Sequence, residues 1–253
     1  MADLPPFSDR TALVTGAASG IGAACARWFA AQGVGKLVLV DLDEAGLDAL
    51  DLACDTHRIV GSVADEALWQ NVAPQLDPLH HAVVNAGIGG SGTMAELTLA
   101  EWRRVMEVNL DGAFLTLNAA LRPMVAARAG SVVVVASVTG IKPVPGIGPY
   151  GVAKAGVAHM ARIAAAENAG HGVRINAIAP GGVDTAIWDT SEDFRAAVQT
   201  HGRDAALKGM AATTPRGRFA TPDELAGEIG FLLSDAAANI TGHVLVSDGG
   251  YSF

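Results

Sequence analysis

The chain has little cysteine, few aromatic residues and less positive than negative charge, and each shortage removes a class of protein. Its two cysteines, Cys25 and Cys54, cannot build a disulfide framework and show no metal-ligand spacing. Cys25 falls in an apolar helical pattern, where a small thiol packs as a core residue. His57, His80, His81, His159, His171 and His243 lie near expected strand or helix ends and never form His-Glu-x-x-His, so no metal is expected. Seventeen Lys and Arg against 26 Asp and Glu leave a formal charge of -9, which speaks against nucleic acid as a partner. No apolar run approaches the roughly 18 residues of a membrane span, so no membrane role is expected. The opening stretch carries Asp3, Pro5, Pro6 and Asp9 where a secretory leader has basic and then apolar residues, and a cytoplasmic setting is expected. Aromatic residues make up only 5% of the chain, and Trp28, Trp69 and Trp102 fall at helical positions as packing residues rather than as a ligand cage.

What is present is core material: half of the 253 residues are apolar and 17% are charged. No Pro/Ser-rich or charge-rich stretch divides them, so one domain over 1–253 is expected. Short β-branched runs at 11–15, 36–41, 58–61, 82–85, 131–136, 173–179 and 244–247 alternate with longer Ala/Leu-rich stretches. The runs are continuously apolar rather than alternating, as strands covered on both faces require, and the stretches between them are long enough for crossover helices. The fold class is therefore α/β, a doubly wound parallel sheet of seven strands with helices on both faces. Ligands of such sheets sit beyond the carboxyl ends of the strands.

The first strand runs into Thr15-Gly16-Ala17-Ala18-Ser19-Gly20-Ile21-Gly22 and then a helical stretch. Gly16, Gly20 and Gly22 let the backbone turn sharply and approach a pyrophosphate, with Ser19 and Ile21 between them and the helix N–H groups facing the charge. The spacing is Gly-x-x-x-Gly-x-Gly rather than the common Gly-x-Gly-x-x-Gly. Asp41 ends the second strand, nineteen positions after Gly22, where a carboxylate accepts from the adenosine ribose hydroxyls. It also repels a 2′-phosphate, and Ala18, Ser19 and Leu42 offer no compensating cation, so NAD is expected over NADP.

Only two tyrosines occur, and Tyr150 stands four residues before Lys154, on one face of an Ala-rich helical stretch that reaches Asn168. A free phenol ionises near pH 10, and a neighbouring ammonium supplies energy of the right order to lower that value, so acidification of Tyr150 by Lys154 is expected. Ser137 closes the fifth strand thirteen positions earlier, as a donor for a substrate oxygen. Asn85-Ala86-Gly87 closes the fourth, leaving room for a flat ring or ribose. Asn109 lies in an apolar setting within 99–124, read as one amphipathic helix, where an amide needs partners. No Gly-x-Ser-x-Gly elbow surrounds Ser137, which excludes a hydrolase of that kind.

Taken together, the 15–22 loop, Asp41, Asn85-Ala86-Gly87, Asn109, Ser137, Tyr150-x-x-x-Lys154 and Pro180-Gly181 resemble the short-chain dehydrogenase/reductase family in its form of about 250 residues. The segments 176–185, 218–224 and 240–250 are similar to that family's closing motifs. The resemblance implies a Rossmann-like domain in which Tyr150 exchanges a proton with the substrate, Ser137 orients the substrate oxygen and Lys154 holds the nicotinamide ribose. It implies that Asn109 positions a water linked to Lys154, that Val183 and Thr185 meet the nicotinamide carboxamide, and that Pro180-Gly181 shapes the floor. Family members often carry Asp-Val after the third strand; this chain has Ser62-Val63, a hydroxyl in place of a charge, so a weaker adenine contact is expected. Pairing of the 99–124 and 150–168 helices between subunits in the family implies a homotetramer.

The segment 186–214, with Trp188, Phe194 and Met210 among polar residues, is expected to be a substrate lid. The stretch 140–149 is largely apolar, and a secondary alcohol or ketone fits such a wall. The expected function is hydride transfer between NAD(H) and a secondary alcohol or ketone. The alternatives are an NADPH-dependent ketone or 3-oxoacyl thioester reductase and, in another class, a non-catalytic NAD-sensing protein.

Overall fold

In the computed structural model, which describes residues 7–253 except the side chains of Thr190 and Glu192, β1 (Thr11–Thr15) leads into α1 (Gly20–Ala31). Then follow β2 (Lys36–Asp41), α2 (Glu44–Asp48), β3 (Asp55–Val60), α3 (Glu66–Val72) and β4 (His81–Val84). The second half runs through α4 (Leu99–Met106), a π-helical turn (Glu107–Asp111), α5 (Gly112–Ala127), β5 (Gly130–Val135), α6 (Gly148–Asn168) and β6 (Val173–Pro180). It closes with α7 (Glu192–His201), α8 (Arg203–Met210), α9 (Pro222–Leu233) and β7 (Val244–Ser247). The strands form one seven-stranded parallel sheet in the order β3-β2-β1-β4-β5-β6-β7. The order reverses between β1 and β4, and the crevice beyond their carboxyl ends is where such sheets take ligands.

The unbroken apolar runs of the central strands are explained by two cores. Leu13, Val38, Ala82, Val132 and Val134 pack on one face under α3, α5 and α6. Val14, Leu37, Leu39, Val83, Val133 and Val135 pack on the other under α1 and α9. Successive residues thus alternate between cores rather than between core and water. Each fully buried Val or Leu contributes about 1.5–3 kcal/mol of transfer free energy.

Helix starts follow local chemistry. Thr221, Pro222 and Glu224 form a capping box at α9, with Glu224 N–H donating to Thr221 Oγ1 (3.2 Å) and Thr221 N–H to Glu224 Oε2 (2.9 Å). At the other end of α9, the Arg174 guanidinium donates to the carbonyls of Leu232 (2.7 Å), Leu233 (2.9 Å) and Ser234 (3.0 Å), which satisfies last-turn acceptors and opposes the helix dipole.

Several boundaries shift by a residue or two from the sequence expectation, and two differences go further. The 99–124 stretch is helical but not regular α-helix throughout: a π-helical turn lies between α4 and α5, and the helix runs on to Ala127. β3 begins at Asp55 rather than 58; it is an edge strand, so polar Thr56 and His57 sit in it without being buried on both faces. The segment 186–214 contains helical turns, α7 and α8 and no strand. No described helix is long and apolar enough to cross a membrane.

Candidate active site

The glycine turn is held from below by Thr15 and Asn85. Thr15 Oγ1 accepts the N–H groups of Asn85 (3.1 Å) and Ala86 (3.2 Å), while Asn85 Nδ2 donates to the carbonyls of Thr15 (2.9 Å) and Gly16 (3.3 Å). Any side chain at Gly22 would overlap the Gly16 carbonyl, so the turn closes on itself only with glycine there. Ser19 caps α1 by position, yet its hydroxyl makes no capping bond, and the first turn of α1 carries no acidic residue. A helix N-terminus with open N–H groups, no carboxylate and an uncommitted hydroxyl fits a phosphate. Asp41 faces the turn: its Oδ2 accepts Ala18 N–H at 2.9 Å and its Oδ1 accepts Asp43 N–H at 3.0 Å. A nucleotide phosphate therefore suits the cradle.

The 85–87 segment joins this cradle to the reactive side chains. A Cβ at Gly87 would stand 2.6 Å from Asn109 Oδ1 and 3.4 Å from Lys154 Nζ, so glycine permits the close approach. Asn109 is buried in the π-helical turn; its Nδ2 donates to the carbonyls of Ile88 (3.0 Å) and Val105 (3.0 Å) and its Oδ1 accepts Ile88 N–H (3.3 Å). Its side-chain bonds thus go to protein backbone. Lys154, 4% exposed, donates to the Val135 carbonyl at 2.8 Å and lies 5.6 Å from the centre of the Tyr150 ring. An ammonium has three donors, so two remain. Ser137, just past the end of β5, accepts from Thr139 N–H (3.2 Å) and Thr139 Oγ1 (3.0 Å).

The electrostatics correct one expectation. Burial pushes the Tyr150 phenol up rather than down, with the Ser137 hydrogen bond pulling the other way. Burial also pushes Lys154 from its ordinary 10.5 down to about 8. Between those two values the unfolded chain binds the lysine proton and the folded chain does not, so this group adds stability as pH rises through that window. Below the lower value both states are charged and the fold carries the whole cost, about 3 kcal/mol. Lys154→Met is accordingly expected to melt at a higher temperature than the parent at neutral pH. The gain is about 2 kcal/mol once the lost Val135 bond is counted, and it fades near pH 10 in paired thermal denaturations.

The other residues expected to contact the cofactor lie at or after the carboxyl ends of β2, β3 and β6. Pro180 ends β6, and Gly181 N–H donates to the Ser247 carbonyl at 2.8 Å. Val183 is buried and bridged to Ala220, and a Cβ at Gly20 would lie 3.1 Å from Thr185 Cγ2. Leu42 is 67% exposed beside Asp41. Ser62 Oγ accepts Ala64 N–H at 3.2 Å, whereas Val63 turns its side chain into the core and its carbonyl accepts Trp69 Nε1–H at 2.8 Å. Sequence reasoning missed Thr15 and Thr139 as positioning residues; the signals were a hydroxyl at a strand end and a Ser-x-Thr turn. It also left Tyr251 without a role: the Tyr251 carbonyl accepts Lys142 Nζ–H at 2.7 Å, and the ammonium lies 4.4 Å from the ring centre. The lone charge of the 140–149 wall is thereby occupied.

A nucleotide cradle at the switch point, with a Ser-Tyr-Lys cluster on the same sheet edge, defines an oxidoreductase with a nicotinamide cofactor. Residues 16–252 match the family model described as enoyl-(acyl carrier protein) reductase. The chain is 41% identical over 256 residues to cis-4-hydroxycyclohexanecarboxylate dehydrogenase of Sinomonas cyclohexanicum, covering 97% of this chain and 98% of that one. It is 32% identical over 259 residues to cyclohexanol dehydrogenase of Acinetobacter sp. strain SE19, covering 97% and 95% respectively. The crystal structure of levodione reductase matches with a TM-score of 0.89 and 34% identity, over 97% of this chain and 98% of that chain. The chain belongs to the short-chain dehydrogenase/reductase family.

Proposed function

We propose that the protein is a cytoplasmic NAD-dependent dehydrogenase of secondary alcohols with an apolar, ring-like flank. The observation that carries this is the gathering of Ser137, Tyr150 and Lys154 beside the cradle that ends at Asp41. Gly16, Ser19, Gly20, Ile21 and Gly22 would hold the pyrophosphate, Asp41 and Leu42 the adenosine ribose, Ser62 and Val63 the adenine, and Asn85, Ala86, Gly87, Pro180, Gly181, Val183 and Thr185 the nicotinamide half. A bound nicotinamide cofactor would supply the hydride acceptor for the alcohol carbon.

The protein supplies the rest. Ser137 donates to the substrate oxygen and fixes it against Tyr150. Tyr150 oxygen takes the hydroxyl proton as the carbonyl forms, and gives it back in the reverse direction. Lys154 stabilises the phenolate once it exists and would help hold the nicotinamide ribose. The wall is formed by 90–94 and 141–149, zipped by Gly92 N–H donating to the Gly146 carbonyl at 2.7 Å. Its side chains include Met94, Ile141, Val144 and Ile147, which favours an apolar flank. The segment 186–214 would close over this mouth. Exposed Phe114 on α5 and Val152 and Ile163 on α6 support a homotetramer built on these helices.

The direct test is NADH formation from NAD and cyclic secondary alcohols, cyclohexanol and 4-hydroxycyclohexanecarboxylate first. Turnover is expected with NAD well above that with NADP. The second reading, an NADPH-dependent ketone or 3-oxoacyl thioester reductase, is favoured by the description of the matching family model. Tighter binding of NADPH than NADH in a fluorescence titration would select it.

A further inference from the structure

Neither the proton chemistry nor the nucleotide cradle accounts for the cluster around Arg203, the first residue of α8. Its guanidinium donates to Asp184 Oδ1 at 2.8 Å, to Asp189 Oδ1 at 3.0 Å and to the Thr185 carbonyl at 3.2 Å. It also lies 5.4 Å from the ring centre of Phe194, which is 2% exposed. These partners come from three pieces of backbone: the segment leaving β6, the Ala186–Thr190 turn and α7. One planar fork therefore fastens both helices of 186–210 to residues 184 and 185.

Those two residues are themselves pinned on their other side. Asp184 N–H donates to the Ala220 carbonyl at 3.1 Å, and Thr185 Cγ2 rests above the glycine turn at the Gly20 position already described. Trp188 adds a second tie, its Nε1–H donating to the Val183 carbonyl at 2.7 Å and its indole stacked on Phe219 at 5.3 Å. The 183–185 strip is thus shared by the phosphate turn and the clasp. Exposed ion pairs are individually weak, but several acceptors arranged around one guanidinium use the fixed geometry that a lysine lacks.

We propose that Arg203 is a positioning residue that couples occupancy of the nucleotide site to closure of the 186–210 segment over the substrate. The proposal rests on the dehydrogenase reading for its substrate half only. A nucleotide that orders 183–185 stabilises the platform to which Arg203 holds both helices; a closed segment in turn binds the nucleotide more tightly, as linkage demands.

The experiment is limited proteolysis within 186–214, with and without saturating NADH, on the parent, Arg203→Ala and Arg203→Lys, alongside steady-state kinetics. In the parent, NADH is expected to slow cleavage about tenfold. In Arg203→Ala the protection falls below about twofold, and Arg203→Lys is intermediate. The KM for alcohol rises about tenfold in Arg203→Ala while kcat stays within about threefold. Asp184→Asn reproduces part of the loss in the parent and adds nothing in Arg203→Ala, an outcome that separates the clasp from a general loss of fold. Equal protection of parent and Arg203→Ala by NADH overturns the proposal. So does full protection in Asp184→Asn. If NADH binds and protects but no alcohol is turned over, the dehydrogenase reading fails while the clasp stands; if NADH does not bind the parent, both fail.

Discussion

Tyr150→Phe is expected to lower kcat for alcohol oxidation by about 1000-fold or more while changing the dissociation constant of NADH less than about threefold. The substitution removes one oxygen and keeps the ring, so the packing over Lys154 is retained. Without that oxygen the substrate proton has no acceptor beside Ser137, whose hydroxyl is engaged by Thr139 and is far too weak a base at neutral pH. Burial raises the phenol, so the parent's oxidation rate should climb with pH as the phenolate fraction grows, and the variant's residual rate should lack that climb. Stopped turnover with intact NADH fluorescence enhancement is the required pair of observations. Residual turnover within tenfold of the parent would remove Tyr150 from the reaction.

Asp41→Ser is expected to shift the ratio of kcat/KM for NADP over NAD upward by about 100-fold. A carboxylate about 4 Å from a 2′-phosphate, at an effective dielectric near 20, repels by about 4 kcal/mol per unit charge before relaxation. Serine removes that repulsion and still offers an oxygen to Ala18 N–H, so the glycine turn keeps its tie to β2. Part of the shift comes from weaker NAD binding, because a hydroxyl accepts from ribose hydroxyls less strongly than a carboxylate does. An unchanged ratio would show that the adenosine ribose lies away from the end of β2.

Much of this architecture could be read in advance because both sides of the sheet are buried. The five consecutive apolar residues Val132 to Ala136 have no solvent face to accommodate, and the parallel class follows. β3 was legible only in part, for the opposite reason: as an edge strand it includes polar residues that break the run. The glycine turn, Asp41 and the Ser137, Tyr150 and Lys154 set were legible because each is a particular residue type at a strand end or one helical turn apart. The electrical state of Tyr150 was not. Spacing places an ammonium on the same helical face, but the balance between burial and that charge depends on where Nζ points, and it points to the Val135 carbonyl. The clasp at Arg203 was equally hidden, since Asp184, Asp189 and Arg203 are brought together by the route of the chain through α7.

The π-helical turn at Glu107–Asp111 carries one residue more than an α-helix needs for the same advance. The surplus is absorbed within the turn, so α4, which buries Val105, and α5, which buries Thr116, Ala119 and Ala120, continue on either side of it. Loss of a single position here would let the turn close as ordinary α-helix with α5 still in phase, so what the surplus residue secures is the place of Asn109, turned inward to the backbone at Ile88 and Val105, rather than the packing of the helices on either side.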